Sequence, residues 1–427
     1  MSLLIKGGLV VDPSRHLEEP RDLLVDKGKI VALEPPGQIP DRGRQVISAP
    51  GLVVAPGLLD MHVHLREPGE EYKETIATGS RAAVQGGFTA VAAMPNTRPV
   101  NDTAAVTRLI LDQAREAGNA RVYPVGAISA GSKGEVLSEY GDLKAAGIVA
   151  LTDDGHPVSS AMLMRRAMEY ARTFDLPIIS HCEDLDLRAD GVMHEGRISL
   201  QLGLKGIPAA AEEVMVYRDL TLCRLTGARL HIAHVSTGGS VAIIRLAKAM
   251  GLPVTAETAP HYFSLTDAAV LGYDTNAKVN PPLRTDMDVA SIKEALRDGT
   301  LDAIACDHAP HSSLEKEVEF TAAAFGLIGL ETSLGLTLKL VHAGELSLMQ
   351  AIDRLSTRPA RILGVAGGTL AVGATADITL IDLNREWTVD ASTFASKSRN
   401  CPFHGWTLKG KAVMTIVGGK VVWEEGK

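Results

Sequence analysis

The sequence predicts an α/β fold, a TIM-like (β/α)8 barrel with a small β-sandwich domain formed from both termini. Three observations lead there. From residue 57 to about residue 365, apolar strand, polar loop and amphipathic helix alternate eight times, which fits a closed barrel better than an open doubly wound sheet. Both flanks are instead short β patterns broken by turns. Histidines and aspartates also recur where the alternating strands end, the rim at which a parallel barrel gathers its polar residues.

Residues 1–55 carry β patterns at Leu3–Val11, Asp22–Val25, Lys29–Leu33, Gln45–Ile47 and Leu52–Val54, with a Pro-Pro-Gly break at 35–37. Residues 56–365 form the barrel. Its strands read as Gly57–Leu65, Phe88–Met94, Arg121–Ala127, Ile148–Thr152, Pro177–His181, Arg229–His234, Pro253–Thr258 and Asp302–Cys306. Helical periods lie between them at Tyr72–Gln85, Thr103–Glu116, Ala161–Thr173, Ala210–Thr226, Ser240–Met250 and Met287–Arg297, and Leu348–Leu355 follows the last strand. Glycines at 86, 87, 147, 227 and 251 stand where helices hand over to strands, as C-terminal helix stops require. Residues 366–427 return to β patterns at Gly367–Leu383, Ala412–Val417 and Lys420–Glu424. Pairing 1–55 with 366–427 as one discontinuous domain buries apolar faces that neither flank covers alone.

With 45% hydrophobic and 22% charged residues, the 427-residue chain has the composition of a soluble globular protein with a sizeable core. A net charge of −8 argues against a nucleic-acid or anionic-membrane surface, though a local arginine can still hold a small anion. No 18-residue apolar stretch and no signal-peptide layout is visible. The four cysteines lack metal-type spacing, which fits a reducing cytosol and predicts a cytoplasmic protein. Cys182 and Cys306 neighbour candidate site residues, but on alternating strands they point away from them and read as core.

The first barrel strand runs into His62-Val63-His64-Leu65-Arg66. Period-2 alternation sends His62, His64 and Arg66 to one side and Met61, Val63 and Leu65 to the other. Two imidazoles on one face can share an ion, and the guanidinium can hold an anion beside it. Strand four ends in Thr152-Asp153-Asp154-Gly155, strand five in His181-Cys182-Glu183, strand six in His234 and strand eight in Asp307-His308-Ala309-Pro310-His311. A lone histidine here is more often a satisfied polar residue than a ligand. Five strands delivering such residues to one rim make a metal site the better reading. Four histidines and two carboxylates exceed what one tetrahedral zinc uses, so two ions are the simplest arrangement, with His62 and His64 on one and His181 and His234 on the other. Imidazole and carboxylate ligands suit zinc without excluding manganese or cobalt, and such ions lower the pKa of bound water towards neutrality. Either Asp153 or Asp154 can face inward; spacing does not choose.

These residues resemble the cyclic amidohydrolases, and among them the type I dihydroorotases, over nearly the whole chain. The motifs that carry the resemblance are Asp60-Met61-His62-Val63-His64-Leu65-Arg66-Glu67, Met94-Pro95-Asn96-Thr97, Thr152-Asp153-Asp154-Gly155, His181-Cys182-Glu183-Asp184, Ala277-Lys278-Val279-Asn280-Pro281-Pro282-Leu283-Arg284 and Asp307-His308-Ala309-Pro310-His311. The resemblance implies zinc-dependent reversible cyclisation of N-carbamoyl-L-aspartate to (S)-dihydroorotate, a step of UMP biosynthesis, with metal-bound hydroxide attacking the cyclic amide in the hydrolytic direction. It implies one or two zinc ions per subunit, two being the simpler case. His62 and His64 would hold the first and His181 and His234 the second, with Asp154 bridging. Asp307 would be both ligand and proton shuttle, a role that suits a carboxylate against a metal. Arg66, Asn96 and His311 would bind the substrate carboxylate. Asn280 and the backbone around Phe325 and Gly326 would hold the ring amide. A second copy of the chain or another pyrimidine-pathway enzyme are the protein partners compatible with it.

The sequence departs from many relatives at strand four, where a carboxylated lysine is replaced by an aspartate; the nearest lysine, Lys144, precedes the strand. A shorter bridge holds the second metal more weakly. Segment 312–317 is polar, lacks a strong period and reads as a mobile loop near the site, either a solvated loop or a lid over substrate. Glu183 and Asp184 are expected to orient imidazole. His156, His194, His231 and His261 are expected to be structural or surface residues. The competing readings are another cyclic-amide hydrolase (hydantoinase, dihydropyrimidinase or allantoinase) and a non-catalytic scaffold. Arg66 with Asn96 favours a substrate with a carboxylate beside its ring, and none of the six expected ligands is missing.

Overall fold

The computed structural model describes residues 2–426. The N-terminal flank supplies β1 (Leu3–Asp12), β2 (Leu17–Asp26), β3 (Lys29–Glu34), β4 (Gln45–Ser48) and β5 (Val53–Pro56). The barrel contains β6 (Leu58–Val63), β7 (Phe88–Ala93), β8 (Arg121–Pro124), β9 (Ile178–Ser180), then the short pair β10 (Met193–His194) and β11 (Gly206–Ile207), followed by β12 (Leu230–Ile232), β13 (Val254–Thr258) and β14 (Ala303–Ile304). The C-terminal flank adds β15 (Ile378–Thr388), β16 (Thr407–Val417) and β17 (Lys420–Glu424).

Parallel ladders join β6 to β7 and β8, and β9 to β12, β13 and β14. Single parallel bridges complete the ring. Leu151 bridges both Gly126 and Ile178, standing for the fourth strand, and Val63 bridges His308, closing the last strand on the first. Several strands are shorter than their apolar runs predict, because side-chain oxygens replace ladder partners: Asp60 accepts the N–H groups of His62 and Cys306 (3.0 Å each at best), and Asp302 accepts that of Ala256 (2.9 Å). Outside the ring, Ile178, Leu230, Ile232, Ala256 and Ile304 pack under the helices. Inside it lies a cluster rich in alanine, with Leu59, Met61, Ala90, Ala92, Ala150, Ile179, Ala233, Ala303 and Ala305, closed below by Ile362 and Leu363. Met61 thus departs from the simple alternation: the β6–β7 register shifts between Asp60 and Val63, so Met61 joins the inner cluster while Val63 and Leu65 face the helices.

Among the described residues the flanks share one eight-stranded sheet, ordered β17-β16-β15-β5-β1-β2-β3, with β4 also on β1. The join between termini is the antiparallel β5–β15 ladder, in which Val54 faces Leu380. Leu23, Ile30, Val54, Ile378 and Ile416 bury a common face. Helix Ser333–His342, absent from the sequence reading, wedges against β16; seven of its ten residues are buried and only its last turn exposes charge, at Lys339 and His342, so it shows little amphipathic period. The first barrel helix begins at Ile76, later than Tyr72, because Thr75 accepts the N–H of Thr78 and caps it there. Among the described residues no helix is long and apolar enough to cross a membrane.

Candidate functional site

The carboxyl ends of the barrel strands deliver His62, His64, Asp154, His181, His234 and Asp307 to one mouth, the first five buried and Asp307 partly open, its side chain 12% exposed. Asp154 is the hub. Its Oδ1 lies 3.3 Å from His62 Nε2 and 3.5 Å from both His181 Nδ1 and His234 Nε2, and its Oδ2 lies 3.4 Å from His64 Nε2. Asp307 Oδ1 sits 3.2 Å from His64 Nε2 and 3.6 Å from His62 Nε2. His181 Nδ1 and His234 Nε2 face each other at 2.8 Å. Asp153 turns away to accept the N–H (3.1 Å) and hydroxyl of Ser129, which resolves the choice that strand spacing left open.

This donor set fits metal ions. Two groups lie close enough to share one, His62–His64–Asp154 and Asp154–His181–His234. Ligand atoms about 3.3 Å apart are what tetrahedral coordination at zinc–nitrogen distances requires. Buried His62 Nε2 and Asp154 Oδ1, both aimed into the cluster, have no hydrogen-bond partner, a costly state unless something else satisfies them. Burial opposes charge on His62, but Asp154, Asp307 and Glu257 outweigh it and hold its pKa well above the usual histidine range. Burial pushes Asp154 and Asp307 up, and the surrounding imidazoles more than reverse this, so both carboxylates stay ionised. Arg66, His234 and Asp307 have φ of 61°, 35° and 48°, a left-handed backbone that non-glycine residues adopt at a cost where strands turn over the mouth.

Beside the cluster is a cavity of about 240 Å³ lined by Arg66, Asn96, Asn280, His311, Phe325 and Gly326 among others. Arg66 donates through Nε to the Pro310 carbonyl (3.1 Å), and its Nη2 lies 3.2 Å from His311 Nε2. Burial and the neighbouring Arg66 and Lys73 lower the His311 pKa to about 3, so its ring is neutral and Nε2 accepts from the guanidinium. Asn96 Oδ1 accepts from His64 Nδ1 (2.8 Å), which leaves its NH2 for a ligand. Asn280 donates to Glu183 (3.2 Å), which leaves its carbonyl.

Three expectations change. Gly326 lines the cavity, but its N–H donates to the Lys278 carbonyl (2.8 Å) and its carbonyl accepts from Lys316 and Asn400, so it offers a surface rather than a free amide. The segment expected to be a mobile loop contains a helical turn, Ser313–Lys316, pinned by a buried lysine: Lys316 Nζ donates to the carbonyls of Ala324 (2.8 Å) and Gly326 (3.0 Å). Its polar sequence hid this because the lysine's partners are backbone atoms. Asp184 caps the short helix Leu185–Arg188 instead of touching an imidazole, while Glu183 does lie 3.5 Å from His181 Nε2.

Sequence reasoning missed Glu257, 1% exposed on β13, which accepts from His62 Nδ1 at 2.8 Å and lies 3.3 Å from His231 Nε2. A lone carboxylate within a buried strand, Val254–Thr258, was the available signal. Burial opposes its charge, yet the two imidazoles hold its pKa at about 2. His261 is likewise buried, and both its ring nitrogens lack partners.

The comparisons with known proteins agree with this geometry. Residues 51–240 match the family described as Dihydro-orotase-like, and residues 270–423 match the Amidohydrolase family. The chain is 58% identical over 424 residues to the dihydroorotase of Geobacter metallireducens, covering 99% of this chain and 100% of that protein. It is 55% identical over 426 residues to the dihydroorotase of Syntrophus aciditrophicus, covering 100% of both. Among solved structures, L-hydantoinase (dihydropyrimidinase) from Arthrobacter aurescens superposes with a TM-score of 0.89 at 27% identity, over 100% of this chain and 96% of that one.

Proposed function

This chain belongs to the dihydroorotase family of the amidohydrolases, and we infer from that membership that it is a dihydroorotase, a hydrolase of cyclic-amide C–N bonds. It interconverts N-carbamoyl-L-aspartate and (S)-dihydroorotate in pyrimidine synthesis. The observation that carries the reading is the buried histidine–aspartate cluster beside an arginine–histidine pair, on a chain alike over its full length to dihydroorotases.

We propose two zinc ions per subunit, His62, His64 and Asp307 holding one, His181 and His234 the other, and Asp154 shared. When bound, they supply Lewis acidity to the scissile carbonyl and to water. The other steps belong to the chain. Asp307, held ionised, accepts a proton at its carboxylate from the attacking water and returns it to the departing amide nitrogen; ring closure runs the same transfer in reverse. Arg66 and the Asn96 NH2 grip the substrate carboxylate, with His311 steadying the guanidinium. The Asn280 carbonyl accepts from a ring N–H, and Phe325 and Gly326 wall the ring. The same reading divides the chain into a barrel of 56–365 and a sheet domain of 1–55 with 366–427. It places the protein in the cytoplasm, where buried free cysteines stay reduced. A second copy or another pyrimidine-pathway enzyme fits as partner.

The structural likeness to a hydantoinase keeps one rival, hydrolysis of rings without a carboxylate. A panel of dihydroorotate, dihydrouracil, hydantoin and allantoin on protein of known zinc content decides. Turnover of dihydroorotate is expected; turnover of only the other three favours the rival.

A further inference from the structure

One wall of the mouth comes from outside the barrel. Residues 395–400 follow β15, and two carboxylates, half-buried Glu331 and buried Glu74, fix them at the rim. Glu331 accepts the N–H groups of Ala395 (2.8 Å) and Ser396 (3.4 Å), and Glu74 accepts the Ser396 hydroxyl and the Lys397 N–H (3.1 Å). The segment ends in Asn400, 3% exposed, whose carbonyl accepts the Ile328 N–H at 3.0 Å.

The side chain of Asn400 is fully committed to the pocket wall. Its Oδ1 accepts the His311 N–H (3.2 Å), and its Nδ2 donates to the carbonyls of Ala309 (3.0 Å) and Gly326 (3.1 Å). Ala309, His311 and Gly326 all line the cavity. Two loop stretches from different parts of the barrel are therefore joined by one amide. They also touch: a Cβ at Gly326 would lie 2.8 Å from the Ala309 Cβ, and φ there is 136°, so a shift in one stretch displaces the other.

We propose that Asn400 is a positioning residue for recognition of the substrate carboxylate. It fixes the His311 backbone, and the His311 ring in turn accepts from Arg66 Nη2 at 3.2 Å. The inference rests on the function proposed above. No bond of Asn400 reaches Asp307, Asp154 or the clustered imidazoles. Its loss loosens a grip used equally in ground and transition states, which raises KM and spares kcat.

The test is steady-state kinetics of wild type and Asn400→Ala with N-carbamoyl-L-aspartate and dihydroorotate, with thermal unfolding alongside. KM rises about tenfold for both substrates, equivalent to about 1.4 kcal/mol, at near wild-type kcat. A fall in kcat at unchanged KM, the mark of a merely structural role, overturns the proposal, as do unchanged kinetics. Wild type that turns over neither substrate overturns the functional reading and this inference together; active wild type with unaltered Asn400→Ala overturns this inference alone. If Asn400→Ala does not fold, Asn400→Ser, whose hydroxyl is too short to bridge both loops, takes its place: a raised KM at wild-type kcat supports the proposal, and an unchanged KM overturns it.

Discussion

His62 and His64 come from the end of one strand, and each is oriented by an oxygen from elsewhere in the barrel, His62 by Glu257 of β13 and His64 by Asn96 in the loop after β7, both at 2.8 Å. His181 and His234 come from separate strands and are held less firmly. His181 Nε2 lies 3.5 Å from Glu183, and His234 Nδ1 has no hydrogen-bond partner. Glu183 is also shared with Arg188 (3.3 Å) and Asn280 (3.2 Å), so the second half of the cluster is tied to the substrate cavity. Glu257 stands outside the pocket lining, so His62 is organised by the barrel itself, which costs nothing further when a ligand arrives; His64 through Asn96 and His181 through Glu183 borrow their order from groups that also line the pocket.

Three measurements break or sharpen this contrast, and a fourth probes stability. Asp307→Ala removes from the first half the carboxylate proposed to carry the proton; turnover is expected to fall by about 10³-fold or more, while the thermal transition stays near wild type. An active variant would remove Asp307 from the mechanism. Asp154→Ala touches both halves, and elemental analysis is expected to find fewer ions per chain together with a rate loss of about 10²-fold or more. Full metal content in that variant would contradict a shared carboxylate. Glu257→Gln acts on the better-ordered half alone. It weakens metal binding there about tenfold, measured by chelator competition, and so narrows the gap between the halves. Equal weakening of both halves would dissolve the contrast.

The smallest effect concerns stability. Burial raises the Glu331 pKa from 4.5 to about 7. Its protonated form is favoured in the fold, so its contribution is complete below pH 4.5 and is lost as pH rises towards 7. Glu331→Gln removes that dependence: the wild-type Tm should fall relative to the variant by about 2 °C over this window, and a constant difference would count against it.

The sequence by itself determined the barrel, because alternating strands and amphipathic helices express burial in a local period, and it named the ligand candidates, because strand ends in a parallel barrel share one rim. It also paired the flanks, since neither could bury its apolar face alone. Only the tertiary structure chose Asp154 over Asp153, whose carboxylate is occupied by Ser129, 24 residues away in sequence. Only the structure supplied Glu257 to His62 across 195 residues and Asn400 to His311 across 89. Each of these choices rests on hydrogen bonds between distant segments. Such a bond leaves no period in the sequence; it exists once the chain has closed.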